Sequence, residues 1–244
     1  MPKDIVFQTP KPTRLLRRIA LLITNPTNDD LVVDFFAGSG SCGQAIMELN
    51  VSDAGKRRFC LIQLPEPTND ASFPTIAEIT KERLRRAGNK IKEENPMFAG
   101  DLGFRVLKLD SSNILPWDPD HTDLDQALIK NVEHLKSDRS DEDVLFEVLL
   151  KLGLELTVPM EQREIAGKTF HAIGAGALYV CLDRSITADE AEPVALGLVA
   201  WHKELAPAGE SQVVFRDSAF SNDVAKTNLT AILQQHGLEN VRSL

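Results

Sequence analysis

Residues 30–43 read Asp-Leu-Val-Val-Asp-Phe-Phe-Ala-Gly-Ser-Gly-Ser-Cys-Gly, a short β-branched strand followed at once by a glycine-rich turn. A strand that ends in such a turn directs backbone N–H groups, and the N-terminus of the next helix, towards a ligand. Glycine is needed because the chain there adopts positive φ or comes very close to the ligand. The stretch therefore predicts an α/β fold with a ligand-binding turn.

Helices and strands alternate on either side of this turn. Residues 12–25 have apolar side chains at helical spacing, with arginines between them, and predict an amphipathic helix. The other predicted elements are strands at 30–34, 58–64 and 104–109, a helix from residue 44 and a helix at 75–94. Strand, turn, helix, strand, helix and strand in this order are typical of a parallel α/β sheet.

The composition changes around residues 116–125, which are acidic and contain proline, so we predict a domain boundary there. The two predicted domains are residues 1–118 and 119–244. The sequence pattern of the second predicts a small α/β domain. Its expected elements are a helix at 141–152, paired strands at 164–169 and 177–182, a helix at 188–205, a strand at 212–216, a helix at 222–236 and a last strand at 240–244.

Charge and composition limit the classes of function. The 244 residues carry a net charge of −9, which argues against a free-standing nucleic-acid-binding protein. Residues 1–92 nevertheless hold 14 Lys and Arg against 10 Asp and Glu, so only this part is suited to face a polyanion. The chain has no apolar run long enough for a bilayer, and its three cysteines are widely spaced, so we expect a cytoplasmic protein without membrane contact.

Three kinds of ligand use a turn of this type. A nucleoside triphosphate is disfavoured because the P-loop ends in Gly-Lys-Ser/Thr, whereas this turn ends Ser41-Cys-Gly43. Gly38, Gly40 and Gly43 do satisfy the G-x-G-x-x-G pattern of dinucleotide sites. That pattern is followed about 20 residues later by an acidic residue that binds ribose, and position 63 is Gln63.

S-adenosylmethionine fits the turn better than either phosphate ligand. Its methionine end carries an ammonium group and its sulfonium is positive, so the Asp34 carboxylate at the strand tip would attract it, whereas it would repel a pyrophosphate. A nicotinamide-dependent oxidoreductase that uses the same glycines remains the less favoured alternative.

Several segments resemble one family of enzymes. Asp34-Phe-Phe-Ala-Gly-Ser-Gly-Ser41 resembles the cofactor motif of DNA methyltransferases that act on amino groups, and residues 7–16 are similar to the Lys-Pro segment of the β class. Residues 57–66, 109–119, 163–168 and 213–218 resemble, in the same order, segments of the modification subunit of type III restriction–modification systems. The resemblance implies a partial Rossmann-like methyltransferase sheet followed by a small C-terminal α/β domain.

The resemblance also implies the chemistry, which is methyl transfer from S-adenosylmethionine to N6 of an adenine flipped out of duplex DNA. By analogy, residues 34–41 would cradle the cofactor with Phe36 packed beside it, Gln63 would lie at the ribose and Asp110 near the adenine ring. The complete set of expected cofactor-binding residues is Phe7, Lys11, Pro12, Asp34, Phe35, Phe36, Gly38, Ser39, Gly40, Ser41, Gln63 and Asp110.

The family's catalytic loop, Asp/Asn-Pro-Pro-Tyr/Phe, does not occur in this sequence. In the β class this loop and the target-recognition region precede the glycine motif, so we expect both to be absent and the chain to be inactive alone. We therefore assign no catalytic or metal-binding residue. The expected partners are a separate methyltransferase half or a second modification subunit, a restriction subunit, and DNA through the complete enzyme. A non-catalytic remnant that serves as an interaction protein is the alternative.

We interpret two further features, at residues 95–98 and in the helix at 75–94, as structural and not functional. Asn95-Pro-Met-Phe98 differs from Asn-Pro-Pro-Phe by one residue, but it follows a charged helix, so we interpret it as a helix end. The basic residues of the helix at 75–94 predict a solvated face, with contact to DNA phosphates as the less favoured interpretation.

Overall fold

The computed structural model describes residue 7 and residues 9–115 and 135–244, and the chain divides into two compact units, Met1–Leu107 and Lys108–Leu244. The predicted domain boundary at residues 118 and 119 lies outside the described residues and stays a prediction. None of the helices in the described ranges is long and apolar enough to cross a membrane.

The described residues of the first unit form two parallel strands and three helices. In chain order these are α1 (Thr13–Ile23), β1 (Leu31–Asp34), α2 (Ser41–Asp53), β2 (Arg58–Leu61) and α3 (Ile76–Glu94). Helix α2 provides the crossover that two parallel strands require, and it packs against α1 on one side and α3 on the other. The predicted helices and the first two strands are confirmed, with ends that differ by a few residues.

Among the described residues, helices pack on one face of this sheet, and side chains of the other face are partly exposed. Val32 and Phe59 pack against buried residues of α1 and α2. Because side chains alternate along a strand, Leu31 and Val33 point to the opposite face, and the register places Cys60 beside Val33. Leu31 is 53% exposed and Val33 is 42% exposed. We call Leu31, Val33 and Cys60 the open sheet face.

The predicted third strand at residues 104–109 is wrong. These residues are described without strand structure, and neither of the two sheets includes them. Leu102 and Phe104 pack against the apolar face of α3 instead, while Leu109 is 98% exposed. The sequence pattern of these residues is typical of a strand, but they form no backbone hydrogen-bond ladder with a neighbouring strand in either sheet. A strand depends on such a neighbour more than on its own sequence.

The second unit has a five-stranded mixed sheet in the order β3-β4-β5-β6-β7. Its first two pairs of strands are antiparallel and its last two pairs are parallel. The elements in chain order are α4 (Asp141–Lys151), β3 (Met160–Ile165), β4 (Lys168–Ile173), β5 (Leu178–Cys181), α5 (Ala188–Leu205), β6 (Gln212–Phe215), a 3-10 turn (Asp217–Ala219), α6 (Asp223–Gln235) and β7 (Asn240–Ser243).

Helices cover both faces of this second sheet. Helices α5 and α6 pack on one face around Phe170, Tyr179 and Phe215, and α4 packs on the other around Val180 and Val214. All four residues of β5 are buried. The predicted helices and most predicted strands of this unit are confirmed.

The prediction of one continuous strand at residues 164–169 is wrong, because Glu164 and Ile165 end β3, Lys168 and Thr169 begin β4, and a turn lies between them. Ala166 and Gly167 have φ of 49° and 75°, and Ile165 pairs with Lys168 across them. Two consecutive residues with positive φ form the tight turn that joins antiparallel strands. The sequence signal was the dipeptide Ala-Gly, which is weaker than the Asn-Gly of most such turns.

Candidate functional site at the end of β1

The glycine-rich turn links β1 to the N-terminus of α2. Gly38 and Gly40 have φ of 53° and 78°, and Gly40 is the residue that precedes the first turn of α2. The Ala37 N–H donates to Ile62 O at 3.1 Å, and the Gly40 N–H donates to Ala37 O at 2.8 Å. The turn is therefore tied to the chain that follows β2, and it places the positive end of the α2 dipole at the strand tip.

The glycines are required by close packing as well as by their backbone angles. A Cβ at Gly40 would lie 3.0 Å from Cγ2 of Thr80 and 3.2 Å from its carbonyl oxygen, and a Cβ at Gly38 would lie 3.3 Å from the Phe7 ring. At Gly43, one helical turn further on, a Cβ would lie 2.7 Å from Leu84. The turn is therefore closely packed against α3 and against the ring of Phe7.

Asp34 ends β1 beside this turn. Its Oδ1 accepts a hydrogen bond from the Phe36 N–H at 3.1 Å, which fixes the carboxylate at the strand tip. Burial raises the pKa of the Cys42 thiol, the Asp34 carboxylate raises it further, and Lys11 acts in the opposite direction. Asp34 and Lys11 thus both lie close enough to Cys42 to act on it electrostatically.

Two adjacent aromatic rings are exposed next to the turn. Phe35 is 66% exposed and Phe36 is 85% exposed. Large apolar side chains exposed together in a soluble domain commonly mark a binding surface. A flat aromatic face at this place suits stacking on a heterocycle or contact with a cation.

Gln63 has a structural role at the turn. Its Oε1 accepts a hydrogen bond from the Gly38 N–H at 2.8 Å, and its Nε2 donates to Leu64 O at 3.1 Å. The residue expected at the ribose therefore holds the backbone of the glycine-rich turn. Its Oε1 retains a second lone pair, so ribose binding stays a prediction.

Pro12 and Asp110 are two other predicted cofactor-binding residues. Pro12 precedes α1, and its carbonyl accepts hydrogen bonds from Leu15 and Leu16. Asp110 lies in the second unit, where hydrogen bonding to Arg139 lowers its pKa to about 2. The contact of Asp110 with an adenine ring stays a prediction.

Helix α3 contributes two residues that the sequence analysis missed. The Thr80 hydroxyl donates to Gly38 O at 2.6 Å, and Arg83 donates to Ser39 Oγ at 2.7 Å. Ser39 is buried, and its hydroxyl lies 3.2 Å from that of Ser41. The spacing of Thr80 and Arg83 on one face of a predicted helix was the available signal, but it does not reveal what that face contacts.

The other basic residues of α3 mostly pair with acidic residues of the same helix. Lys81 pairs with Glu78, Arg85 and Arg86 approach Glu82, and Lys90 approaches Glu94. This arrangement supports the solvated face over contact with phosphates. Asn95 ends α3, and Phe98 packs back against the helix, as expected for a helix end. No group of metal-ligating side chains forms within residues 9–115 and 135–244, and His121 and His134 lie outside that part.

Comparison with known proteins identifies the family of this region. The DNA methylase family model matches residues 2–63, which include α1, β1, the glycine turn, α2 and β2. The chain is also 43% identical over 108 residues to the Mod subunit of the type III restriction–modification enzyme StyLTI of Salmonella typhimurium. That alignment covers 42% of this chain and 16% of the relative.

Two further relatives extend the similarity into the second unit. The Mod subunits of the type III enzymes EcoPI of Escherichia phage P1 and EcoP15I of Escherichia coli are each 30% identical, over 189 and 207 residues. These alignments cover 72% and 80% of the chain, and 27% and 29% of the relatives. The chain therefore spans less than a third of the length of the curated relatives that it matches.

Proposed function

Because the chain belongs to the DNA methylase family and corresponds to part of a type III modification subunit, we propose that it forms the S-adenosylmethionine-binding part of a DNA adenine-N6 methyltransferase. The observation that carries this proposal is the turn of residues 34–41, in which a strand-tip carboxylate, a helix N-terminus and exposed aromatic rings lie together. When bound, the cofactor supplies an activated methyl group.

The chemistry of these residues fits the cofactor. The Asp34 carboxylate attracts the ammonium group of the methionine end, and the N–H groups at the start of α2 attract its carboxylate. Phe36 offers an exposed ring for apolar contact with the cofactor and its positive sulfonium. Gly38 and Gly40 hold the backbone in the positive-φ conformations that this turn needs.

The other predicted residues surround this arrangement in the proposal. The ring of Phe7 packs over Gly38. Lys11, like Asp34, lies close enough to Cys42 to affect the pKa of its thiol. Ser39 and Ser41 contribute buried hydroxyls, and Gln63 fixes the Gly38 amide while offering its second lone pair to ribose. Phe35 and Pro12 complete the proposed set in the first unit, and the role of Asp110 near the adenine ring stays a prediction.

In this proposal the chain needs further polypeptide to methylate DNA. Parallel sheets are found with both faces covered, and the open sheet face of the first unit leaves Leu31 and Val33 exposed. A separate part that contributes the catalytic loop and the target-recognition region covers this face. The recognition of duplex DNA and contact with a restriction subunit are then properties of the complete enzyme.

Calorimetric titration of S-adenosylmethionine into the purified chain tests the proposal. We expect saturable heat for one site, and Asp34→Asn should weaken the Kd at least about tenfold, which corresponds to ~1.4 kcal/mol. Asparagine keeps the oxygen that accepts from Phe36 but removes the charge. Asp30→Asn is the matched control, because Asp30 lies at the other end of β1 and its carboxylate accepts from Asn25.

The outcomes separate the proposal from its rival. An unchanged Kd for Asp34→Asn would remove the electrostatic basis of the assignment. The absence of heat at high protein concentration would favour a non-catalytic remnant that serves as an interaction protein. Methylation of DNA by the chain alone would contradict the need for a second part.

A further inference from the structure

Helix α3 holds the glycine turn through two side chains that lie one helical turn apart. The Thr80 hydroxyl donates to Gly38 O at 2.6 Å, and the guanidinium of Arg83 donates to Ser39 Oγ at 2.7 Å. Both acceptors belong to the turn itself. Thr80 and Ser39 are buried, at 6% and 4% exposure, so these hydrogen bonds are partly shielded from water.

Arg83 also connects the turn to the body of α2. Its Nε donates to Gln44 Oε1 at 2.7 Å, and Gln44 Nε2 donates to Glu48 Oε1 at 2.8 Å. The Glu48 carboxylate in turn lies 3.7 Å from Arg17 of α1. One guanidinium therefore sets the position of a turn residue and of a side chain in the first helical turn that follows.

The hydroxyl that Arg83 contacts is one of a pair. Ser39 Oγ lies 3.2 Å from Ser41 Oγ, on either side of Gly40. Because the guanidinium only donates, Ser39 Oγ accepts from Arg83 and its own proton is free to point to Ser41. A hydrogen bond donated by a charged group is stronger and more directional than one between neutral groups.

We propose that Arg83 is a positioning residue for the cofactor turn, acting through the Ser39 hydroxyl to fix the backbone of residues 38–41 in its binding conformation. This inference rests on the proposed function for the meaning of the turn, while the contacts that carry it are independent of any ligand. The other pairs described for basic residues of α3 join them to acidic residues of the same helix, whereas Arg83 contacts the turn. The positioning role accounts for this difference.

A double-mutant cycle of Arg83→Ala and Ser39→Ala tests the proposal, with the Kd for S-adenosylmethionine as the readout. We expect Arg83→Ala to weaken binding about tenfold, ~1.4 kcal/mol. The Kd of the double variant should equal that of the single variant with the larger loss of affinity, because both changes remove the same interaction. Arg83→Lys should recover only part of the loss, since one ammonium group does not reproduce the forked contacts to Ser39 and Gln44.

Arg86→Ala is the matched control, because Arg86 lies on the same helix, is 72% exposed at its side chain and pairs with Glu82. We expect its Kd to equal that of the unmodified chain. Effects of Arg83→Ala and Ser39→Ala that add fully would overturn the proposal, as would an unchanged Kd for Arg83→Ala.

Hydrogen exchange separates failure of this proposal from failure of the proposed function. In Arg83→Ala we expect faster exchange of the amides of residues 38–41 without cofactor, while the amides of residues 47–50 keep their rates. If the unmodified chain does not bind S-adenosylmethionine, these exchange rates still decide the role of Arg83. Unchanged exchange at residues 38–41 would overturn it whatever the chain binds.

Discussion

The two sheets of this chain differ in how much of their apolar surface is covered. In the second unit, helices cover both faces, and the central strand β5 is buried at all four positions. In the first unit, helices cover one face of two strands, and the other face leaves Leu31 and Val33 exposed. The sheet of the second unit is therefore covered on both faces, whereas that of the first unit is covered on one face, as we expect for one side of a larger sheet.

The difference also locates function. The sheet with helices on both faces lies in the second unit, whereas the glycine turn follows a strand of the sheet that helices cover on one face. Residues that bind a ligand lie at the carboxyl end of a parallel strand, as is general for α/β sheets. What the first unit lacks in coverage, we have proposed, is contributed by another part of the enzyme.

The largest expected effect comes from comparing the same substitution at one valine of each sheet. Val180 of β5 is 0% exposed and Val33 of β1 is 42% exposed. We expect Val180→Ala to lower the free energy of unfolding by about 2–3 kcal/mol, through lost burial and a residual cavity. Val33→Ala should lower it by about 0.5 kcal/mol or less, as for most exposed positions.

Urea denaturation provides the measurement, with a separate probe for each unit. Trp201 is buried in the second unit, so its fluorescence in a Trp117→Phe background reports on that unit, while hydrogen exchange at α2 reports on the first. Equal losses for the two valines would show that the open sheet face is packed in solution.

A smaller effect is expected from Glu147, which secures the start of the second unit. Partial burial opposes ionisation of this carboxyl, but hydrogen bonds from Ser112 and Asn113, with Lys151 nearby, lower its pKa to about 2. Since the folded pKa is lower than the usual value near 4.3, the carboxylate stabilises the fold above about pH 4.3. That stabilisation is lost as the pH falls towards 2.

The variant Glu147→Gln should therefore be less stable at pH 7 by about 1–2 kcal/mol. The difference from the unmodified chain should shrink as the pH falls from about 4 to about 2, in urea titrations at successive pH values. Glu142→Gln, at an exposed position of the same helix, is the control. A difference that is independent of pH would contradict the role assigned to the ionised form.

Some of this architecture could be predicted from residues that act locally. The glycines at 38 and 40 predicted the turn because their backbone angles are rare for other residues, whereas the ligand charge that Asp34 indicates stays a prediction. The pattern at 104–109 failed because a strand needs a partner edge, which a short window of sequence does not contain. The contacts of Gln63 and Arg83 with the turn join residues 25 and 44 positions apart, and spacing alone does not indicate them.

Site-resolved alkylation of the cysteines tests most directly whether the first unit is one side of a larger sheet. Cys60 is exposed on the open sheet face, whereas Cys181 is buried and its burial raises its pKa to about 12. We predict that Cys60 reacts rapidly in the chain alone and about tenfold more slowly in an active assembly with the remaining methyltransferase part, while Cys181 reacts slowly in both. Reaction of Cys60 as slow as that of Cys181 in the chain alone, or equally fast in the active assembly, would contradict the account.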